Sequence, residues 1–155
     1  MGAEFPKPLL DDLAIAGFAW PWHRTPESAI PDAGAYALLI SLEKRVPLKR
    51  PRGASSLEAG WYLYAGSAHG PGGIRARLSR HFRKDKACHW HIDQLTEAAT
   101  LLFAHDIADG DECDLIAVLS ASYAFDVAQP GFGNSDCSFC SSHLLVWRPP
   151  ETRPC

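Results

Sequence analysis

The chain has 155 residues, 46% of them hydrophobic and 21% charged, with a formal net charge of -3; that is one domain's worth of ordinary globular protein, long enough to close a single core. No apolar run approaches the ~18 residues a membrane span needs, and no charged n-region followed by an apolar h-region opens the chain, so a cytoplasmic protein with no membrane partner is expected. Cys88, Cys113, Cys137, Cys140 and Cys155 are an odd number, which argues against a disulfide framework and for reduced thiols with at most one metal site.

Residues 1–32 carry Pro6, Pro8, Pro21, Pro26 and Pro31 and read as an irregular N-terminal arm, in which one apolar piece, Leu9–Trp20, could dock on the domain that follows. That domain is expected over 33–148, with a tail at 149–155. Gly34–Leu42 (GAYALLISL) is apolar enough for a central strand. Glu43–Gly60 is a charged, proline-bearing excursion. If Trp61–Ala65, an aromatic and apolar run, pairs antiparallel with Gly34–Leu42, the excursion is a long hairpin connection to which Val46–Leu48 adds a little pairing. Glycines then crowd a turn at Gly66–Gly73, where the lack of a Cβ lets another backbone or a phosphate come close. A helix follows over about Gly73–Lys84, with Ile74, Leu78 and Phe82 facing inward and Arg75, Arg77, Arg80, His81 and Arg83 on the other faces. Arg77 and His81 stand one turn apart.

The net charge alone argues against a nucleic-acid partner. Its distribution reverses that: residues 44–86 hold 11 of the 15 Lys and Arg and only two acids, Glu58 and Asp85. A one-sided positive field follows if these charges converge in space, and a solvated basic surface if they do not.

Cys88–Leu102 reads as a second helix with Ile92, Leu95, Ala99 and Leu102 in one stripe and His89, His91 and Asp93 crowding its start. Leu101–Ile107 reads as a third strand that leads to an acidic loop: Asp106, Asp109, Asp111, Glu112 and Asp114. Glu112 either caps its own helix within Asp109-Gly110-Asp111-Glu112 or, in register with Leu115 and Leu119, points toward the buried face, where a carboxylate needs a cation. Gly131–Trp147 holds a turn, then Cys137, Cys140 and His143, then a strand at Leu144–Trp147. Cys-x-x-Cys with a nearby histidine supplies three of the four ligands of a Zn²⁺ site, with Cys113, Cys88 or a histidine left to complete it. Alternatively, Asp136 and His143 line a substrate face.

The expected fold is therefore α+β: a small, mainly antiparallel sheet of three or four strands flanked by helices. Gly34-Ala35-Tyr36, Tyr64-Ala65-Gly66 and Arg77-Leu78-Ser79-Arg80-His81 resemble the paired motifs and arginine helix of the GIY-YIG nuclease superfamily. GSAHGPGGIRARLSRHFR (66–83), HWHIDQL (89–95), ECDL (112–115) and GFGNSDC…SH (131–143) resemble its DUF123 branch, over about Gly34–Trp147. The resemblance implies a metal-dependent endonuclease that hydrolyses DNA phosphodiesters by in-line attack of water, in repair or processing. It assigns Mg²⁺ or Mn²⁺ to Glu112, with Asp109 and Asp111 as second choices, and the scissile phosphate to Arg77. Tyr36 would orient or deprotonate the water, which asks for a phenol pKa below its usual value of about 10; Tyr64 would bond the water or phosphate, and His81 would support either. Gly66, Ser67, Gly72, Gly73, Arg80 and His91 would receive the DNA backbone, while Ala35 and Ala65 would face the core. Two other readings remain: a non-catalytic nucleic-acid-binding module, and a partner domain stabilised by zinc.

Overall fold

The computed structural model describes residues 5–134, 137 and 139–153, so Asp136 lies outside the described residues. Strand β1 (Gly34–Leu42), whose side chains are buried on both faces, is the axis of the sheet. Along its full length it pairs antiparallel with β4 (Gly60–Ala68), from Gly34 opposite Ala68 to Leu42 opposite Gly60. On its other edge it pairs antiparallel with β5 (Leu101–Ala108). The far edge of β4 takes β7 (Leu144–Trp147), and β7 takes β6 (Phe125–Val127), giving the order β5-β1-β4-β7-β6 with every pairing antiparallel. Within the charged excursion, β2 (Val46–Pro47) and β3 (Ser56–Leu57) form a separate two-stranded ribbon.

The five-stranded sheet is larger than the three or four strands expected. The added strand is β6, three residues long, too short for a period of two to show in sequence. The strand expected to end at Ala65 runs on to Ala68, because β1 offers ladder partners as far as Gly34.

Alternation along β1 and β4 divides the core in two. One face carries Ala35, Ala37, Leu39, Leu63 and Ala65, packed with Leu115, Ile116 and Leu119 of helix α4 (Glu112–Ser120) and with Phe5, Leu9, Leu13 and Trp22. The other carries Tyr36, Leu38, Ile40 and Tyr62, packed with Ile74 and Leu78 of α2 (Gly73–Phe82) and with Ile92, Leu95 and Phe132. The N-terminal stretch is thus not an irregular arm. It holds helix α1 (Lys7–Ile15), with Leu9 and Leu13 one turn apart and both buried. Pro6 and Pro8 hid this helix from the reading, yet they sit at its N-cap and first turn, where a missing N–H breaks no helical bond. The end of β7 and the residues after it also return to α1: Trp147 Nε1 donates to Asp12 at 2.8 Å, and Arg153 pairs with the same carboxylate.

The helix expected over Cys88–Leu102 shrinks to α3 (Asp93–Ala98). Ala99 is extended, and Leu101 and Leu102 already belong to β5. Apolar spacing of three and four was there, but pairing with β1 overrides it. Among the described residues no helix is long and apolar enough to cross a membrane.

Candidate active site

Cross-strand register builds the floor of the site. Tyr36 stands directly opposite Gly66, so the tyrosine ring and the glycine share a face, and Tyr64 lies on that face two residues further along β4. The Tyr36 ring crosses Gly66 so closely that a Cβ there would sit 2.4 Å from Cζ and Oη. Gly66 therefore makes room for Tyr36. Gly66→Ala is expected to lower stability by roughly 1–3 kcal/mol, the usual cost of overpacking, as read by urea unfolding; an unchanged midpoint would mean that the ring moves freely.

Beneath this floor, Tyr36 Oη and His81 Nε2 lie 2.7 Å apart, both fully inside the protein. Burial drives the His81 pKa down to about 3, against a weaker upward pull from Asp93, so the imidazole is neutral. His81 Nδ1 has no partner among the described residues. Burial, reinforced by Tyr64, pushes the Tyr36 phenol well above 10, and the opposing pull of Arg77 does not offset it. Tyr64 is pushed up to about 12, again mainly by burial. The protein groups alone thus keep Tyr36 a phenol, joined to a neutral histidine, and Arg77 by itself does not acidify it.

Above the tyrosines opens a cleft of about 220 Å³. Of the expected residues it gathers Tyr36, Tyr64, Gly66, Ser67, Arg77, His91, Glu112, Cys137 and His143; His89, from the histidine-rich start of the expected second helix, lines it too, and Trp90 and Gly133 are additions. Gly72, Gly73, Arg80 and Cys140 do not line it, and His81 lies behind Tyr36. Gly73 has a different task from contacting substrate: at φ +59, a Cβ on it would meet Pro31 O at 2.2 Å, so glycine seats the start of α2 against residues 30–32.

Arg80 is turned inward. Its Nη2 donates to Asp93 Oδ2 at 2.5 Å, and the same oxygen accepts the backbone N–H groups of His89 (2.8 Å) and Trp90 (2.9 Å). Burial alone would raise the Asp93 pKa, but the bonds from Trp90, His89 and Arg80 outweigh it and hold the carboxyl below its ordinary range. This arrangement holds Trp90 against two guanidinium groups, with Arg77 Cζ 4.7 Å and Arg80 Cζ 4.5 Å from the ring centroid. Trp90 is 37% exposed at the cleft and holds Arg77 there by its ring face. An aromatic residue between two histidines, one segment after an arginine helix, was the signal available in sequence. His91 acts through its Nδ1, which accepts the Gly133 N–H at 2.9 Å and ties the 131–134 turn to the cleft. Several residues of the basic stretch are likewise engaged within the fold: Arg75 bonds Ala29 O, Lys84 bonds carbonyls at the end of α3, and Lys86 pairs with Glu97.

The two readings of Glu112 separate in the structure. Asp111 is the N-cap, accepting from Cys113 N at 2.7 Å and Asp114 N at 3.3 Å. Glu112, the first residue of α4, is left to line the cleft, whereas Asp109 and Asp111 are exposed and do not.

Beside Glu112 lies the second donor set. Cys113 Sγ, Cys137 Sγ, Cys140 Sγ and a His143 ring nitrogen all fall within 4.8 Å of one another and could hold a metal ion such as zinc. Cys113 completes the set that Cys137, Cys140 and His143 began; Cys88 is exposed and stands apart from it. The N–H of Cys140, then the Cys113 thiol and the N–H of Phe139, drive the Cys137 thiol down to about 6, while burial and the neighbouring thiols push Cys113 up. Among the described residues Glu112 supplies the only carboxylate lining the cleft.

Comparison with known proteins gives one match. A family model described as a domain of unknown function, DUF123, matches residues 35–154. No curated protein and no solved structure matches the chain.

Proposed function

The chain belongs to the DUF123 family, and from that premise we propose that it is a metal-dependent endonuclease of the GIY-YIG kind, hydrolysing DNA phosphodiesters in the cytoplasm during repair or processing. One observation carries the reading: Tyr36 with His81 behind it, the Arg77 guanidinium and the Glu112 carboxylate are brought to a single cleft from three separate elements, β1, α2 and α4.

Each group has work suited to its surroundings. Arg77 offers a planar fork of donors to two phosphate oxygens and neutralises charge that grows on the phosphoryl group. Stacking on Trp90 orients that fork without consuming its donors. Tyr36 orients the attacking water through Oη. As the water oxygen bonds to phosphorus and the bond to the leaving oxygen breaks, the water proton passes to a non-bridging phosphate oxygen, so neither the Tyr36 phenol nor the His81 imidazole, both held neutral by burial, has to take a charge. The 2.7 Å contact with His81 Nε2 holds the phenol in place so that its oxygen can direct the water. Tyr64 donates a hydrogen bond to the phosphate or water, and Gly66 and Ser67 leave space for the DNA backbone. Glu112 would hold Mg²⁺ or Mn²⁺, whose charge stabilises the departing oxygen.

The test is cleavage of supercoiled plasmid and of branched and flapped DNAs in Mg²⁺, in Mn²⁺ and in chelator, with Glu112→Gln alongside the wild type. Nicking that requires the ion and vanishes in the variant supports the assignment. Salt-sensitive DNA binding without cleavage in either ion would move the protein to a non-catalytic binding module.

A further inference from the structure

The four-donor cluster stands outside the chemistry just assigned. Its ligands come from three places: Cys113 in the first turn of α4, Cys137 and Cys140 in the preceding loop of β7, and His143 immediately before that strand. Two of them border the cleft, and the third neighbours Glu112. A tetrahedral Zn²⁺ with Zn–S near 2.3 Å and Zn–N near 2.05 Å needs donor atoms about 3.6–3.8 Å apart. The measured separations, 3.2 Å for Cys113 Sγ to Cys137 Sγ and 3.8 Å for Cys113 Sγ to His143 Nε2, bracket that value.

Two further observations point to an ion. Thiols are weak donors and weak acceptors, so three of them gain little by converging on an imidazole unless something binds them all. The backbone N–H groups of Phe139 and Cys140 are aimed at Cys137 Sγ, at 3.4 and 3.3 Å, as a metal-bound thiolate requires of its surroundings. The scaffold is prepared on both sides: His143 is buried, its carbonyl accepts from Ala65 N at 3.0 Å, and its N–H donates to Phe132 O at 2.8 Å. The Asn134 side chain donates to Cys140 O, and Cys137 N to Asn134 O at 2.9 Å.

We propose that Cys113, Cys137, Cys140 and His143 bind one Zn²⁺, and that this ion clamps the loop before β7 to the first turn of α4, fixing Glu112 in the cleft. The binding half is independent of the nuclease assignment; the positioning half rests on it. With all four positions filled by protein, the ion is structural and leaves no coordination place for substrate.

Metal analysis of the full chain, purified under reducing conditions with zinc in the growth medium, is expected to give about one equivalent per chain. Cys113→Ser and His143→Ala should each lose it. Because those variants could fail to fold, the wild type is also stripped with chelator and titrated with Co²⁺, which should produce thiolate-to-cobalt charge transfer and tetrahedral d–d bands at one equivalent. Hydrogen exchange at the amides of 112–116 should quicken at least tenfold on stripping and recover with Zn²⁺. Zinc-free protein that gives no tetrahedral cobalt spectrum, or a Cys113–Cys137 disulfide in the reduced preparation, would overturn the site. Zinc bound with exchange at 112–116 unchanged would overturn the clamp. Protein that passes both tests yet cuts no DNA would reject the nuclease reading and leave the zinc centre standing.

Discussion

Arg77→Ala is expected to slow DNA cleavage about a thousandfold, with little change in stability. Removing one preorganised donor to a developing anion costs about 10²–10³ in rate, and losing an arginine that neutralises a transferred phosphoryl group costs 10³–10⁵. Folding should barely notice, because the described contact of the guanidinium is its stacking on Trp90, about 0.5–1 kcal/mol for a site of this exposure. Arg77→Lys should recover part of the rate, since it restores the charge but not the fork. Single-turnover cleavage in Mg²⁺, paired with urea unfolding of the same preparations, separates the two effects. A variant that cuts within tenfold of wild type would place the phosphate elsewhere.

Asp93→Ala should be the most damaging single change to stability outside the apolar core, about 3–5 kcal/mol, the cost of breaking a buried ion pair. The carboxylate is wholly buried and serves three donors, so its loss strands Arg80 and the N–H groups of His89 and Trp90 together. The same carboxyl makes stability depend on pH in a defined direction. Its pKa in the fold is lower than in the unfolded chain, so its contribution is complete above the ordinary carboxylate value of about 4 and drains away as pH falls through the folded value. Urea midpoints measured from pH 7 downward should therefore fall more steeply below pH 4 in the wild type than in Asp93→Ala. Parallel curves would deny Asp93 that role. Since Asp93 holds Arg80 and the Trp90 backbone, and Trp90 carries Arg77, the variant should also cleave poorly at temperatures where it remains folded.

What could be read from sequence had a local cause. A nearly continuous apolar run at Gly34–Leu42, glycines spaced around Gly66–Gly73 and the arginines Arg75, Arg77, Arg80 and Arg83 are written within single segments, and strand, turn and helix followed from them. What stayed hidden depends on distant partners. Helix α1 lay under prolines whose harmlessness depends on their place at a helix start. The segment Cys88–Leu102 carried helical spacing that β1 overrode by taking Leu101 and Leu102 into its ladder. Cys113 stands 24 residues from Cys137 in sequence yet 3.2 Å from it in space, so ligand spacing could not select it over Cys88. The burial that raises the Tyr36 phenol was likewise hidden, because it is a property of the assembled sheet and helix.

Ala35 and Ala65, the middle residues of the two tyrosine-glycine motifs, pack on the face of the sheet opposite to Tyr36, in one layer with Leu115, Ile116 and Leu119. A single methyl group at each therefore sets how near α4 can approach the sheet, and Glu112 rides on the first turn of that helix. The reach of the cleft's carboxylate is governed from the opposite side of the molecule. A larger residue at either alanine should therefore crowd the inner side of α4 and shift the turn that carries Glu112, although the change is made on the far face of the sheet.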